Sequence, residues 1–170
     1  MVSVYSGLAP VGERCIELLR YHRSPNITVN LLAGIHGVEY MNTVHGASDT
    51  IEFLRFFGEA GSAANIETAR PALEVGDIVV MDNWATHHFA GGEILQEWLN
   101  ERNIELVYTP TYSPDFNPVE FVFNKMRSVM RYHLWDLTNE NIELAAYEAV
   151  DRITSHDMAN FFRHTSYINT

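Results

Sequence analysis

The sequence predicts an α/β domain, and three observations predict it. Apolar runs rich in β-branched residues occupy 27–35 and 38–44, and an uninterrupted apolar run follows at 78–81. Helical spacing then alternates with one further strand-like run, and it continues alone toward the end of the chain. A β-rich first half, an alternating middle and a helical last part are typical of α/β folds.

The first half of the chain is predicted to form strands joined by turns. After a turn at 10–12, a strand is expected over 13–21, ahead of the runs at 27–35 and 38–44. The last two runs are separated by His36-Gly37 and therefore predict a hairpin.

Caps and spacing predict the remaining elements. Ser48 and Asp49 can cap a helix through Phe57, and Glu52 is placed to complete a capping box. The other predicted elements are a strand at 78–81, a helix at 88–102, a strand at 104–108, and helices at 117–134, 138–153 (capped by Thr138) and 158–164. Because two of these strands flank a helix, we expect them to be parallel and joined by a crossover.

Composition and charge restrict the class of protein. The 170 residues, 46% of them apolar, can form one domain with a sizeable core. The net charge of -11 opposes broad, sequence-independent binding of nucleic acid, so any DNA contact must be local. Cys15 has no partner for an internal disulfide, and no signal-like start or membrane-length apolar run occurs. We expect a single intracellular domain over 1–170, not associated with a membrane.

Two carboxylates occupy positions at which α/β sheets build sites. Asp82 ends the strand at 78–81, and sites lie beyond the carboxyl ends of such strands. A proline-containing loop then brings Glu120 to the first turn of a helix, so both acids can meet at one sheet edge and bind a hard divalent cation. Structural roles are also open: a turn or cap for Asp82, and for Glu120 a capping box begun by Asn117.

The helix that begins with Glu120 carries a polar stripe. Glu120, Asn124, Arg127 and Arg131 follow at helical spacing, and Lys125 lies beside them. Lys125, Arg127 and Arg131 are enough for a few phosphate contacts. The same three cations are equally consistent with a helix face that only contacts solvent.

Four sequence segments together indicate a family. They are VVMDNWATHH at 79–88, IELVYTPTYSPDFNPVEFVFNKMR at 104–127, YSGLAPVGER at 5–14 and FFRHTSY at 161–167. The first two resemble the D-N-x-x-x-H and P-x-Y-S-P-x-x-N-P-I-E blocks of mariner-type DDE transposases, in which the Asp and the Glu belong to three metal-binding acids. The other two resemble an early segment and the closing helix of the same domain.

The resemblance implies a ribonuclease H-like fold, a mixed sheet flanked by helices with three antiparallel and two further parallel strands. It implies metal-dependent DNA cleavage and strand transfer, with Mg²⁺ or Mn²⁺ as cofactor and DNA as partner, in the nucleus if the organism is eukaryotic. The implied site residues are Asp82 and Glu120 as catalytic metal ligands, Lys125, Arg127 and Arg131 beside DNA phosphates, and Asn83, His87 and Asn117 in support.

The chain departs from the family pattern in two respects. No residue matches the first acid, which the family places on the central first strand, and no helix-turn-helix region precedes the domain. We therefore expect the strands at 13–21 and 78–82 either to lie beside a gap or to pair in a non-standard way, with exposed edges open to self-association.

Three functional hypotheses remain open. The leading one is a transposase-derived catalytic domain with little activity on its own. The alternative is a non-catalytic, domesticated module that binds DNA or protein. A third is a metal-dependent nuclease that takes a local third acid from Asp49, Asp77 or Asp115, although turn and cap roles explain these residues better. His87 and His88 are also conceivable ligands, but their spacing is not that of a zinc site.

Overall fold

The computed structural model describes residues 26–64, 69–82, 90–111 and 113–168. The first elements are β1 (Ile27–Gly34), β2 (Gly37–His45), α1 (Thr50–Ala60), β3 (Ile78–Met81), α2 (Ala90–Asn100) and β4 (Glu105–Tyr108). After a 3-10 turn at Pro114–Phe116 come α3 (Pro118–His133), α4 (Trp135–Glu140), α5 (Ile142–Val150) and α6 (Ser155–His164). The strand predicted at 13–21 lies outside the described residues.

Side-chain caps fix most helix starts, and one predicted cap is wrong. Asp49 caps α1 as predicted, accepting hydrogen bonds from the backbone N–H groups of Ile51 and Glu52. Thr138 was expected to begin a long helix, but it lies inside α4 and donates its hydroxyl to the Leu134 carbonyl at 2.8 Å. Asn141 has an extended backbone and caps α5 instead, so the predicted helix is divided there.

The strands form two separate pairs. β1 and β2 make the predicted antiparallel hairpin, and β3 and β4 make the predicted parallel pair with α2 as the crossover. Within the described residues, β1 pairs only with β2 and β3 only with β4. A cavity of about 580 Å³, called the central cavity below, lies between β1 and β3. Among the described residues, β1 forms the wall of this cavity opposite β3, and the gap expected beside 78–82 stays a prediction.

Helices cover the hairpin on both sides. On one side it packs against a cluster built mainly from α3, α5 and α6, whose most buried members include Val122, Ala149 and Met158. On the other side it meets a cluster of α1, α2 and β3, with Leu95, Leu99 and Val79 at its centre. Among the described residues, the hairpin contributes to both clusters, whereas β3 and β4 contribute only to the second. No helix in the described ranges is long and apolar enough to cross a bilayer.

An ion pair joins α3 to α6. The Lys125 ammonium lies 2.5 Å from Oδ2 of Asp157. The same carboxylate accepts hydrogen bonds from the backbone N–H and the hydroxyl of Thr154, which caps α6. Asp157 therefore links the start of α6 to the middle of α3.

Asp157→Asn tests this link. Partial burial alone would raise the pKa of Asp157, but hydrogen bonds from Lys125 and Thr154 outweigh it and lower the pKa from 3.8 to about 2. A lowered folded-state pKa stabilises the fold above the unfolded pKa, and this contribution is lost as the pH falls through the folded value. We expect Asp157→Asn to lower the free energy of unfolding by about 1–2 kcal/mol at neutral pH, measured in urea.

The difference between Asp157→Asn and wild type should then shrink as the pH falls from about 4 toward about 2. Asp151→Asn is the control, because Asp151 is exposed just after α5. A loss of stability of equal size in both variants, or one independent of pH, would contradict the assignment.

Two glycines at the end of α1 should respond oppositely to alanine. A Cβ at Gly58 would meet nothing within 4 Å, whereas a Cβ at Gly61 would lie 2.6 Å from Cη2 of Trp98. Arg102 stacks over that ring at 3.9 Å and restricts its movement. We expect Gly58→Ala to raise the free energy of unfolding by about 0.5–1 kcal/mol and Gly61→Ala to lower it by about 1–3 kcal/mol. Urea unfolding of both variants measures the signs, and equal signs would contradict this packing.

Candidate metal and nucleic-acid site

Asp82 follows directly on β3. The backbone N–H of Thr109 donates to the Met81 carbonyl at 2.8 Å, so the parallel pairing of β3 and β4 continues to their carboxyl ends. Asp82 itself is exposed. This is the edge of a parallel strand pair at which α/β sheets place their sites.

Glu120 lies in the first turn of α3. Asn117 is the cap, since its Oδ1 accepts from the Val119 N–H at 3.1 Å, and Pro118 begins the helix. The backbone N–H of Glu120 donates to the Asn117 carbonyl. Among the described residues, the Glu120 carboxylate makes no return bond to Asn117, so the predicted capping box is only half formed. The exposed carboxylate remains available to a ligand.

Three of the sequence-predicted residues line one cavity. Asp82, Asn117 and Glu120 all line the central cavity. Its remaining described lining is mostly apolar and comes from the two facing strands and from helices on both sides. The two exposed carboxylates therefore border a space whose walls are mostly apolar.

A second set of charged side chains lines the same cavity beside the start of β3. Glu39 has Arg70, His36 and Asp77 as charged neighbours. Burial raises the pKa of Glu39, and Arg70 and His36 only partly oppose this effect. Arg70 is also paired with Glu74 at 2.5 Å. Sequence reasoning missed this group, because its members are distant in the chain and match no motif.

The three acids proposed as local third ligands have other roles or positions. Asp49 caps α1, and Asp115 is exposed in the 3-10 turn. Asp77 accepts a hydrogen bond from the Glu74 N–H at 2.7 Å. It lies at the opposite end of β3 from Asp82, roughly 16 Å away at about 3.3 Å per residue. One metal ion therefore cannot bind both Asp77 and Asp82.

The described residues contain no cluster of three or more His, Cys, Asp or Glu side chains suited to a metal ion. Asp82 and Glu120 are nevertheless a donor set of the kind that Mg²⁺ accepts. That ion is commonly bound through one or two carboxylates, with water and substrate phosphate completing its shell. The residues present therefore fit a weakly held cation that needs further ligands.

The predicted DNA-binding cations differ in their surroundings. Arg127 is exposed, with its guanidinium on the Phe123 carbonyl and the Asn124 side chain at 3.2 Å each. Arg131 is exposed in the last turn of α3. Lys125 is half-buried and paired with Asp157. The sequence analysis did not predict this contact. The available signal was the capping-box pattern Thr-x-x-Asp at 154–157, which indicates a structural role for Asp157. Asn83 and His87 lie outside the described residues.

Comparisons with known proteins identify the family of the chain and its fold. Residues 3–142 match the family model described as DDE superfamily endonuclease. No protein of curated function matches the chain.

Solved structures of similar fold are Mos1 transposase complexes. The Mos1 strand transfer complex has a TM-score of 0.63 at 14% identity, with 96% of this chain and 46% of that chain covered. The Mos1 paired-end complex with left transposon end gives 0.58 at 14% identity, covering 96% and 49%. A pre-cleavage Mos1 transpososome gives 0.57 at 12% identity, covering 98% and 52%. This chain thus spans about half the length of these structures.

The fold is therefore the ribonuclease H-like fold of mariner transposases, as the sequence blocks predicted. The family match covers more than half of the chain and includes both Asp82 and Glu120. This chain belongs to the DDE superfamily endonucleases.

Proposed function

We propose that this domain carries out metal-dependent DNA cleavage and strand transfer as part of a transposition reaction, with Asp82 and Glu120 as its metal ligands. The observation that carries the proposal is that both carboxylates line the central cavity, one at the end of β3 and one at the start of α3. The similar fold of Mos1 transposase complexes supports DNA as the substrate. Such a protein would work where the DNA is, in the nucleus of a eukaryotic cell.

Each protein group has a definable task in this proposal. Asn117 holds the first turn of α3 in place, so Glu120 faces the cavity with little freedom of its backbone. A bound Mg²⁺ or Mn²⁺ would stabilise charge on the attacking and leaving oxygens of the phosphodiester. Arg127 and Arg131, about 10 and 16 Å along the helix from Glu120, would contact phosphates farther along the strand. Lys125 is placed to contribute less, because Asp157 already neutralises it.

We further propose that the described residues alone support only slow cleavage. A two-metal displacement needs a cluster of acids, and Asp82 and Glu120 are the two described carboxylates that the family motif places in the site. A third ligand would therefore have to come from outside the described residues. Self-association is one possible route to it.

Metal binding tests the ligand assignment. Mn²⁺ titration, followed by electron paramagnetic resonance of the free ion, should show weak binding that falls at least tenfold in Asp82→Asn and in Glu120→Gln. The reason is that each neutral, isosteric variant removes one of two anionic ligands. Asp115→Asn is the matched control, because Asp115 is an exposed carboxylate on the turn that precedes α3. Unchanged affinity in Asp82→Asn would refute the proposed site.

Nicking of supercoiled plasmid in Mn²⁺ tests, on the same samples, the proposal that DNA cleavage is slow. Little nicking by the wild-type chain is the expected result. Robust nicking that Asp82→Ala abolishes would show that the two acids suffice. DNA or protein binding that persists in Asp82→Ala and Glu120→Ala, without metal binding by wild type, would instead support the non-catalytic interaction module.

DNA affinity tests the role of the basic stripe. Arg127→Ala and Arg131→Ala should each weaken duplex binding several-fold and reduce the slope of log affinity against log salt by about 1, because each removes one phosphate contact. Arg102→Ala is the control, since Arg102 follows α2 in the opposite helical layer. Fluorescence anisotropy at several salt concentrations measures both quantities. An equal loss in all three variants would contradict a specific role for α3.

A further inference from the structure

Two arginines on neighbouring helices are held by the same kind of partner. The guanidinium of Arg127 on α3 donates to Oδ1 of Asn124 at 3.2 Å, and that of Arg163 on α6 donates to Oδ1 of Asn160 at 2.7 Å. In both helices the asparagine precedes the arginine by three residues, so the two side chains are neighbours on one side of the helix. The same Asn-x-x-Arg pair therefore occurs on both helices.

The neutral partner distinguishes these two arginines from other cations of the chain. Among the residues that the structure describes, neither Arg127 nor Arg163 has a carboxylate within ion-pair distance, and both are exposed. An asparagine amide restricts a guanidinium without neutralising it, so the charge and the remaining N–H donors stay available to an anion. Four other described cations are instead paired with carboxylates of the same chain: Arg55, Arg70, Arg102 and Lys125.

The two helices that carry these pairs lie side by side and antiparallel. Lys125 of α3 meets Asp157 in the first turn of α6. Phe121, four residues before Lys125, meets His164 in the last turn of α6, with ring centroids 5.0 Å apart. The end of α6 therefore lies beside the first turn of α3, which carries Glu120.

This packing separates the two guanidinium groups. Arg163 adjoins His164, which lies at the level of Phe121. Arg127 lies six residues farther along α3, about 9 Å at 1.5 Å per residue, and packed helix axes are about 8–10 Å apart. The two side chains thus start about 13 Å from each other, so we expect them to contact different phosphates.

The helix pair also reverses the charge balance of the chain. The whole chain has 11 Lys and Arg against 22 Asp and Glu. Asp157 is already paired with Lys125, and Glu120 is the proposed metal ligand. On α3 and α6 the cations outnumber the acids: Lys125, Arg127, Arg131 and Arg163 against Glu120 and Asp157. A local basic surface of this kind is what an acidic protein needs in order to bind nucleic acid.

We propose that α3 and α6 form one phosphate-binding face, in which Arg127 and Arg163 each bind a separate DNA phosphate and Asn124 and Asn160 act as positioning residues for them. A guanidinium binds phosphate oxygens through two N–H donors, and one that is already oriented loses less side-chain freedom on binding. The inference rests on the proposed function for the choice of DNA as ligand. It adds Arg163, both asparagines and the whole of α6 to the surface that contacts DNA.

Fluorescence anisotropy of a labelled DNA duplex, with the full chain and no added metal, tests the role of Arg163. We expect Arg163→Ala to weaken binding several-fold and to reduce the slope of log affinity against log salt by about 1, as Arg127→Ala does. The double variant should reduce the slope by about 2, because the two contacts are separate. Arg163→Lys keeps the charge and should keep the wild-type slope. Arg152→Ala is the matched control, since Arg152 is exposed beside Asp151, before the start of α6.

Variants of Asn160 test the positioning role. Asn160→Asp places a carboxylate beside Arg163, as Asp157 lies beside Lys125, and should reduce the salt slope by about 1. Asn160→Ala keeps the charge of Arg163 but removes its partner, so it should weaken binding less than Arg163→Ala and leave the slope unchanged. Asn100→Asp is the control for the added charge, because Asn100 is exposed at the end of α2.

The outcomes separate this inference from the proposed function. An unchanged slope in Arg163→Ala, or equal losses in Arg163→Ala and Arg152→Ala, would overturn the proposed face and leave the metal site and the Arg127 contact in place. Equal effects of Asn160→Asp and Asn100→Asp would overturn the positioning role. Absence of duplex binding by the wild-type chain would overturn both the face and the choice of DNA as partner. Urea unfolding of the same variants should show unchanged stability for Arg163→Ala, because Arg163 is exposed and donates to the exposed Asn160.

Discussion

The burial of one side of α3 is the constraint on which the rest of the structure depends. Val122 and Met126 are almost fully buried there, and the cluster around them includes residues of β1, β2, α5 and α6. Removing one such side chain typically costs several kcal/mol. Because this burial fixes the rotation of α3, it also decides where the polar residues lie. Glu120 reaches the central cavity and Arg127 faces solvent as consequences of the same packing.

The divided sheet places opposite demands on the molecule. Two-stranded sheets are marginal by themselves, so the strand pairs depend on the helices that cover them. Among the described residues, each facing edge of β1 and β3 has no second strand neighbour, so its backbone groups need partners other than a described strand.

Local sequence patterns predicted the helices and strands correctly where local interactions determine them. The predictions failed where packing between distant parts of the chain determines the structure. The Asp49 and Asn117 caps, the hairpin and the parallel pair follow from short patterns whose physics is local. Thr138 and Asn141 can both cap a helix. Leu137 packs against the cluster of α3, α5 and α6, and this packing favours continuation of α4 past Thr138. The Lys125 and Asp157 contact and the charged group around Glu39 join distant parts of the chain, and no periodicity or spacing reveals them.

The capping and metal-binding interpretations of Glu120 are compatible, because different atoms serve them. The helix start is held by the Asn117 side chain and by the fixed backbone of Pro118, so Glu120 is not needed as a cap. Glu120 lies in the first turn of the helix, where a negatively charged side chain interacts favourably with the helix dipole. Because the helix turn fixes the backbone of Glu120, a bound cation would have to order only its side chain. The sequence pattern that predicts a helix start at Asn117 therefore also fixes the backbone of Glu120 for the ligand role proposed above.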